Sequence, residues 1–186
     1  MNPKRAFDLV LVLLALPLLA LPMLAAALAV WLESGRPLLF TQVRIGLGGR
    51  PFRMYKFRSM VVDAERLGPQ RTASADPRVT RVGRWLRRSS VDELPQLFNV
   101  LRGDMSLVGP RPYVPAQQAD YRPEDWALRC SVRPGLTGLA QMRYRSRASA
   151  AQRLQADLDY ARAPGLLRDL RILAGTLLRL GAGGAN

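Results

Sequence analysis

The feature that most constrains this chain is a run of 24 uncharged residues from Leu9 to Leu32. At about 1.5 Å of rise per residue, a helix of that length matches the hydrocarbon thickness of a bilayer. Two details bear on how it meets a membrane. Pro17 and Pro22 fall inside the run, where each removes a helical hydrogen bond and crowds the preceding turn, so a kink or break is expected there. Lys4 and Arg5 precede the run and a longer basic stretch begins at Arg36, whereas a simple span gathers its basic residues on the cytoplasmic side only. A re-entrant helix-break-helix, entering and leaving by one face, reconciles both. It makes residues 1–35 a membrane hairpin and 36–186 a domain at the cytoplasmic face. A straight span and a cleaved signal peptide are the alternatives, and the second would leave a strongly basic exported domain without a disulfide.

Lys and Arg number 28 against 14 Asp and Glu, a net charge of +14 that draws polyanions without choosing among phosphates, acidic lipids and nucleic acid. The single cysteine, Cys130, excludes an intrachain disulfide. The chain has no histidine, which excludes Ser-His and Cys-His nucleophile systems and every histidine metal site.

The segments from Leu38 to Ile45 and from Phe52 to Met60 read as strands joined by a glycine turn, a β-hairpin. Alternation then sets Tyr55 and Phe57 on a packed face and Lys56 and Arg58 on a face that presents cations. Residues 63–78 read as a mobile loop near the site. A helix is expected to start near Asp92, with Pro95 in its first turn and Leu94, Leu97, Phe98 and Leu101 as its buried stripe. The leucine-rich tail from Leu166 to Leu180 suits an interfacial helix as well as a core one.

Asp92 and Glu93 follow a basic run, Arg81, Arg84, Arg87 and Arg88. Two acids at a helix start can simply cap it and complement its dipole. A carboxylate can also attack phosphorus, provided fixed cations, a helix N-terminus or a divalent metal offset the repulsion between two anions. Gly109-Pro110-Arg111-Pro112 reads either as a surface turn with a solvated Arg or as a turn whose flanking prolines restrict the backbone and present the guanidinium for bidentate phosphate binding. Arg133-Pro134-Gly135-Leu136-Thr137-Gly138 is a second turn of this kind.

Taken together, the ordered segments Lys4-Arg5-Ala6-Phe7-Asp8, Tyr55-Lys56-Phe57-Arg58-Ser59-Met60, Thr80-Arg81-Val82-Gly83 and Ser90-Val91-Asp92-Glu93-Leu94-Pro95-Gln96 resemble the monotopic phosphoglycosyl transferases, in their small, minimal form. The resemblance continues through Met105-Ser106-Leu107-Val108-Gly109-Pro110-Arg111-Pro112 and Pro134-Gly135-Leu136-Thr137-Gly138 to Asp169-Leu170. It implies an α/β fold, with a re-entrant membrane helix, a small hairpin or sheet and several amphipathic surface helices. It implies a ping-pong transfer of a sugar-1-phosphate from a UDP-sugar to polyprenyl phosphate, with Asp92 as nucleophile and Glu93 as its partner acid, both associated with Mg²⁺. Lys56, Arg58, Arg87, Arg111, Arg133, Gln141, Arg145 and Asp169 are the implied substrate and phosphate contacts. The implied partners are the UDP-sugar, the polyprenyl phosphate and the bilayer of a bacterial inner membrane, with a homodimer as an option and no nucleic acid. Two departures stand out. Leu21-Pro22 replaces a frequent Ser-Pro at the membrane break, and Tyr144-Arg145-Ser146 stands where many members read Gly-Arg-Asn.

Overall fold

The computed structural model describes residues 2–64, 66–68, 76–144 and 148–181. It opens on one long helix, α1 (Pro3–Ser34), whose first turn is capped by the Asn2 side chain accepting from the Lys4 amide at 3.0 Å. Gly35, at φ 69°, ends it. Pro17 and Pro22 lie inside α1, which continues through both. The expected interruption is therefore not seen as a gap in the helix. One face explains its course: Asp8, Val12, Ala26 and Val30 are buried, and Leu11, Leu16, Leu19 and Met23 pack beside them. These positions recur with the helical period, so α1 lies lengthwise on the rest of the chain. Its other face carries Val10, Leu13, Leu14, Leu18, Leu21, Leu24, Leu28 and Leu32, each at least half exposed. A contiguous apolar face of this length is the mark of a membrane or partner contact, and α1 is long and apolar enough to cross a membrane.

The expected hairpin forms. Strands β1 (Leu39–Ile45) and β2 (Pro51–Phe57) pair antiparallel, with Leu39 opposite Phe57 and Ile45 opposite Pro51. After helix α2 (Arg81–Ser89), Ser90 adopts a left-handed conformation at φ 58° and turns the chain into a 3₁₀ turn, Val91–Glu93. Helix α3 (Gln96–Arg102) follows. It starts four residues later than Asp92, because Pro95 has no amide to open a regular ladder and tighter i→i+3 bonds from Leu94, Leu97 and Phe98 bridge the interval. Phe98, expected in the buried stripe, is exposed, while Gln96, Leu97, Asn99 and Val100 face in. Asn99, fully buried, accepts from the Tyr55 amide at 3.0 Å and donates to the Arg53 carbonyl at 2.7 Å, so α3 is sewn to the edge of β2.

A second pair is parallel: β3 (Ser106–Val108) beside β4 (Gly135–Thr137). Of the helices α4 (Pro123–Cys130), α5 (Leu139–Tyr144), α6 (Ala150–Arg162) and α7 (Leu166–Gly181), α7 packs on both of its strands. The main core joins Val12 of α1, Met54 of β2, Val100 of α3, Tyr160 of α6 and Ile172 of α7. The tail helix is two-sided, with Asp169 and Ile172 buried and Leu167, Leu177 and Leu178 exposed.

Candidate active site

Asp92 and Glu93 leave the 3₁₀ turn at one end of a cavity of about 1720 Å³, and Lys56, Arg87 and Arg111 share that end. Three different elements bring these cations together: β2, α2 and the loop after β3. Lys56 Nζ and Arg111 Nη2 each lie 2.8 Å from the same oxygen, Glu93 Oε1. Arg87 is steadied from below, its Nε donating to Ser59 Oγ at 2.8 Å. Close approach of α2 to this strand end requires Gly83, where a Cβ would stand 2.0 Å from the Ser59 carbonyl oxygen.

The two acids are held in different states. Burial pushes the Asp92 carboxyl up to about 6, helped by the negative Glu93 beside it and opposed by Lys56, Arg87 and Arg111. Burial acts on Glu93 in the same sense, but Arg111 and Lys56 outweigh it and hold that carboxyl well below the usual carboxylate range. Glu93 is thus a fixed anion locked between cations, and Asp92 is a basic carboxylate that accepts no hydrogen bond among the described residues. Three cations against two carboxylates leave the cavity end positive, as a polyphosphate would require.

Helices α1 and α7 give the cavity apolar walls. Leu11, Ala15 and Leu19 of α1 face it from one side and Leu173, Ala174 and Leu177 of α7 from another. Gln141 and Arg58, both expected at the site, also line it. Arg58, however, is buried and directs Nη2 to the α1 terminus, 2.6 Å from the Ser34 carbonyl and 3.0 Å from that of Gly35. Strand β2 ends at Phe57, so alternation no longer governs Arg58, and the expected cation-presenting face holds Lys56 alone. Arg133 donates to the Gly103 carbonyl at 2.9 Å, and Asp169 is fully buried against Lys4 at 2.5 Å and the Tyr160 hydroxyl at 2.7 Å. Neither lies in the cavity wall. Arg145 falls outside the described residues. Of the loop spanning 63–78, Asp63, Ala64, Arg66 and Arg78 line the cavity, and residues 65 and 69–75 lie outside the described ones.

Comparison with known proteins decides what family this arrangement belongs to. A profile of the family described as bacterial sugar transferase matches residues 1–182. The chain belongs to that family. Among its relatives, an undecaprenyl-phosphate glucose phosphotransferase of Komagataeibacter xylinus is 48% identical over 96% of this chain and 36% of its own length. The UDP-glucose:undecaprenyl-phosphate glucose-1-phosphate transferase of Caulobacter vibrioides is also 48% identical, over 94% of this chain and 68% of its own length. The exopolysaccharide production protein PSS of Rhizobium leguminosarum bv. phaseoli is 43% identical, with 94% and 93% covered. This sugar transferase chain therefore spans about a third of the length of the first of these relatives, two thirds of the second and nearly all of the third.

Read within a bacterial sugar transferase, three residues that sequence patterning passed over gain a role. Asn99 fixes β2, and hence Lys56, against α3, the helix that follows the turn carrying Asp92. Ser59 orients Arg87. Arg153 lines the cavity from α6. An Asn inside a helix, where it is a poor helix former, is the one signal of the three visible in the sequence.

Proposed function

We propose that the protein transfers a sugar-1-phosphate from a UDP-sugar to undecaprenyl phosphate, releasing UMP, by a ping-pong mechanism through Asp92. One observation carries this reading: a buried carboxylate of raised basicity, without a hydrogen bond among the described residues, stands among Lys56, Arg87 and Arg111, where a positive cavity end meets apolar residues of α1 and α7. In the first half-reaction an Asp92 oxygen attacks the phosphorus that bears the sugar, the bond from that phosphorus to the bridging oxygen breaks, and UMP leaves with the electron pair. In the second, a phosphate oxygen of undecaprenyl phosphate attacks the same phosphorus, the acyl-phosphate bond breaks, Asp92 is regenerated, and a sugar diphospholipid forms. The covalent link divides one difficult displacement into two. Lys56, Arg87 and Arg111 screen the anion-anion approach and bind charge that develops on phosphoryl oxygens. The relatives named for glucose make UDP-glucose the first donor to test.

The donor set fits Mg²⁺. That ion is held by one or two carboxylates together with substrate phosphates and water, and the described residues offer the adjacent Asp92 and Glu93 but no cluster of three acids or thiols. Bound there, it would supply Lewis-acid charge to the diphosphate. On the membrane side, α1 is re-entrant in this reading: both its ends rest on one domain, which keeps them on the cytoplasmic face while the exposed leucines meet lipid. The deciding experiment incubates purified protein with UDP-glucose, Mg²⁺ and undecaprenyl phosphate. UMP and a glucosyl diphospholipid are the expected products, and a phosphosugar adduct on Asp92 is expected by mass spectrometry when the lipid is withheld. UMP release that forms free glucose-1-phosphate with no adduct would identify a hydrolase instead.

A further inference from the structure

We propose that Arg129 and Asp157 are positioning residues for Arg111: their buried ion pair fixes the backbone of the turn from which the Arg111 guanidinium meets Glu93 at the cavity end. The inference rests on the transferase reading above. Four successive carbonyls in this segment accept from four different donors. Pro110 O takes the Gly135 amide at 2.9 Å, Arg111 O takes Arg129 Nη2, Pro112 O takes Arg44 Nη1 at 2.9 Å, and Tyr113 O takes the Ile45 amide at 2.9 Å. The carbonyl of Arg111 itself is thus held by a side chain from α4.

That side chain is in turn immobilised on every side. Arg129 Nε lies 3.0 Å from Asp157 Oδ2 of α6, the two side chains being 3% and 1% exposed. The guanidinium carbon stands 3.7 Å from the centre of the Tyr113 ring, which packs against Tyr121 and Trp126. One planar group therefore meets a carboxylate, a carbonyl and an aromatic face together, a combination lysine cannot reproduce. Burying such a pair gives little net stability over a well-packed apolar pair, because desolvation cancels most of the attraction. Stability therefore leaves the pair unexplained, whereas position accounts for it. Arg111 Nη2 must arrive 2.8 Å from Glu93 Oε1, and a misplacement of about 1 Å in a catalytic constellation costs on the order of a hundredfold in rate.

The test compares the full chain in detergent with three variants: Arg129→Lys, the pair Arg129→Met with Asp157→Leu, and Arg111→Ala, alone and combined. The apolar pair should match the wild type in thermal midpoint yet lose about a hundredfold in kcat for UMP release. Arg129→Lys, which keeps the charge and guards against misfolding of the pair, should lose about tenfold or more. In the Arg111→Ala background the same changes should cost less than about threefold, since residues acting as one unit are not additive. An apolar pair with wild-type kcat, or losses that multiply fully in the Arg111→Ala background, would overturn the assignment and leave the transferase reading standing. If the wild type turns over no UDP-sugar, that reading fails, and calorimetry with inorganic pyrophosphate still decides: binding about tenfold weaker in Arg129→Lys supports the positioning role, and equal binding refutes it.

Discussion

Arg111 Nη2 lies 2.8 Å from Glu93 Oε1, the same oxygen that Lys56 Nζ reaches, while the carboxylate of Asp92 next to it is left without a hydrogen bond among the described residues. Two neighbouring acids thereby take unlike roles. Asp92→Asn should reduce turnover by on the order of 10⁴-fold or more, because an amide cannot supply the attacking anion. Glu93→Gln should lose most activity through release of Arg111 and Lys56, with the fold retained. UMP release by the purified variants measures both, and an Asp92→Asn protein with more than about a hundredth of wild-type turnover would sink the nucleophile assignment.

The same substitution should make the protein more stable at neutral pH. The folded Asp92 carboxyl sits at about 6 against an ordinary 3.8. Between those values the folded chain holds a proton that the unfolded chain has released, so this group's contribution falls as pH rises through the window. Asparagine stays neutral throughout. Asp92→Asn should therefore gain about 3 kcal/mol well above pH 6, with the gain vanishing below about pH 4. Urea unfolding at pH 4 and pH 8 reads the difference, and an equal effect at both would contradict it.

Chelation should stop the reaction. Arg and Lys neutralise a diphosphate under attack by a carboxylate only in part, and in the proposed mechanism Mg²⁺ would supply the remainder. Full activity after dialysis against excess EDTA would remove Asp92 and Glu93 from any metal role, and graded recovery with added Mg²⁺ is the expected outcome.

How far the sequence could be read depended on whether local or distant residues set each feature. The hairpin was legible because Gly48 and Gly49 sit at φ 65° and 76° between two alternating runs. Asp92, Glu93, Lys56, Arg87 and Arg111 were legible as charged residues in tight motifs, and the fold brings all five to one cavity end. Direction of a side chain is a tertiary property. Nothing local to Arg58 or Arg133 says that one reaches the end of α1 and the other a carbonyl at Gly103. Asp169 likewise meets its partner Lys4 across 165 positions. Phe98 lies off the buried face because α3 packs through Gln96, Leu97, Asn99 and Val100, with Asn99 bonded to β2, a tertiary choice that apolar spacing does not reveal.

The two proline and glycine turns are interlocked, and small changes there should be severe. A Cβ at Gly109 would stand 2.2 Å from the Arg133 carbonyl oxygen, and one at Gly135 would stand 2.0 Å from the Gly109 amide nitrogen. Both neighbours are backbone and cannot swing aside. Gly109→Ala and Gly135→Ala should each cost about 3 kcal/mol or more. Gly165→Ala, with nothing within 4 Å, is the control and should change stability by less than about 0.5 kcal/mol. Urea midpoints of the three variants rank them, and a Gly109→Ala protein as stable as the control would show that the contact relaxes freely.

The topology of α1 is tied to buried polar contacts at its start. Lys4 Nζ lies 2.5 Å from Asp169, Arg5 donates to the Val100 and Leu101 carbonyls at the end of α3, and Asp8 accepts from the Leu107 amide at 3.2 Å. At the other end Glu33 accepts from the Arg81 amide at 2.8 Å. The basic residues that a charge rule would assign to the cytoplasm are thus bound by the domain itself, and breaking a buried pair by removing one partner costs about 3–5 kcal/mol. Restoring an ideal helix at Pro17 and Pro22 gains about 3 kcal/mol per proline at most, and less here because α1 already runs through both. Replacing both prolines by Leu should therefore leave the N-terminus beside the domain. Adding Lys4→Met alone, which leaves Asp169 buried without its cation, should release it and let α1 cross. The measurement labels Asn2→Cys, in a Cys130→Ser background, with a membrane-impermeant thiol reagent in intact spheroplasts. Protection in the wild type and in the proline variant, with labelling once the ion pair is gone, is the expected pattern. Strong labelling of the wild type would show that α1 simply spans the bilayer, and labelling of the proline variant alone would show that the prolines, not the Lys4 contact, hold it.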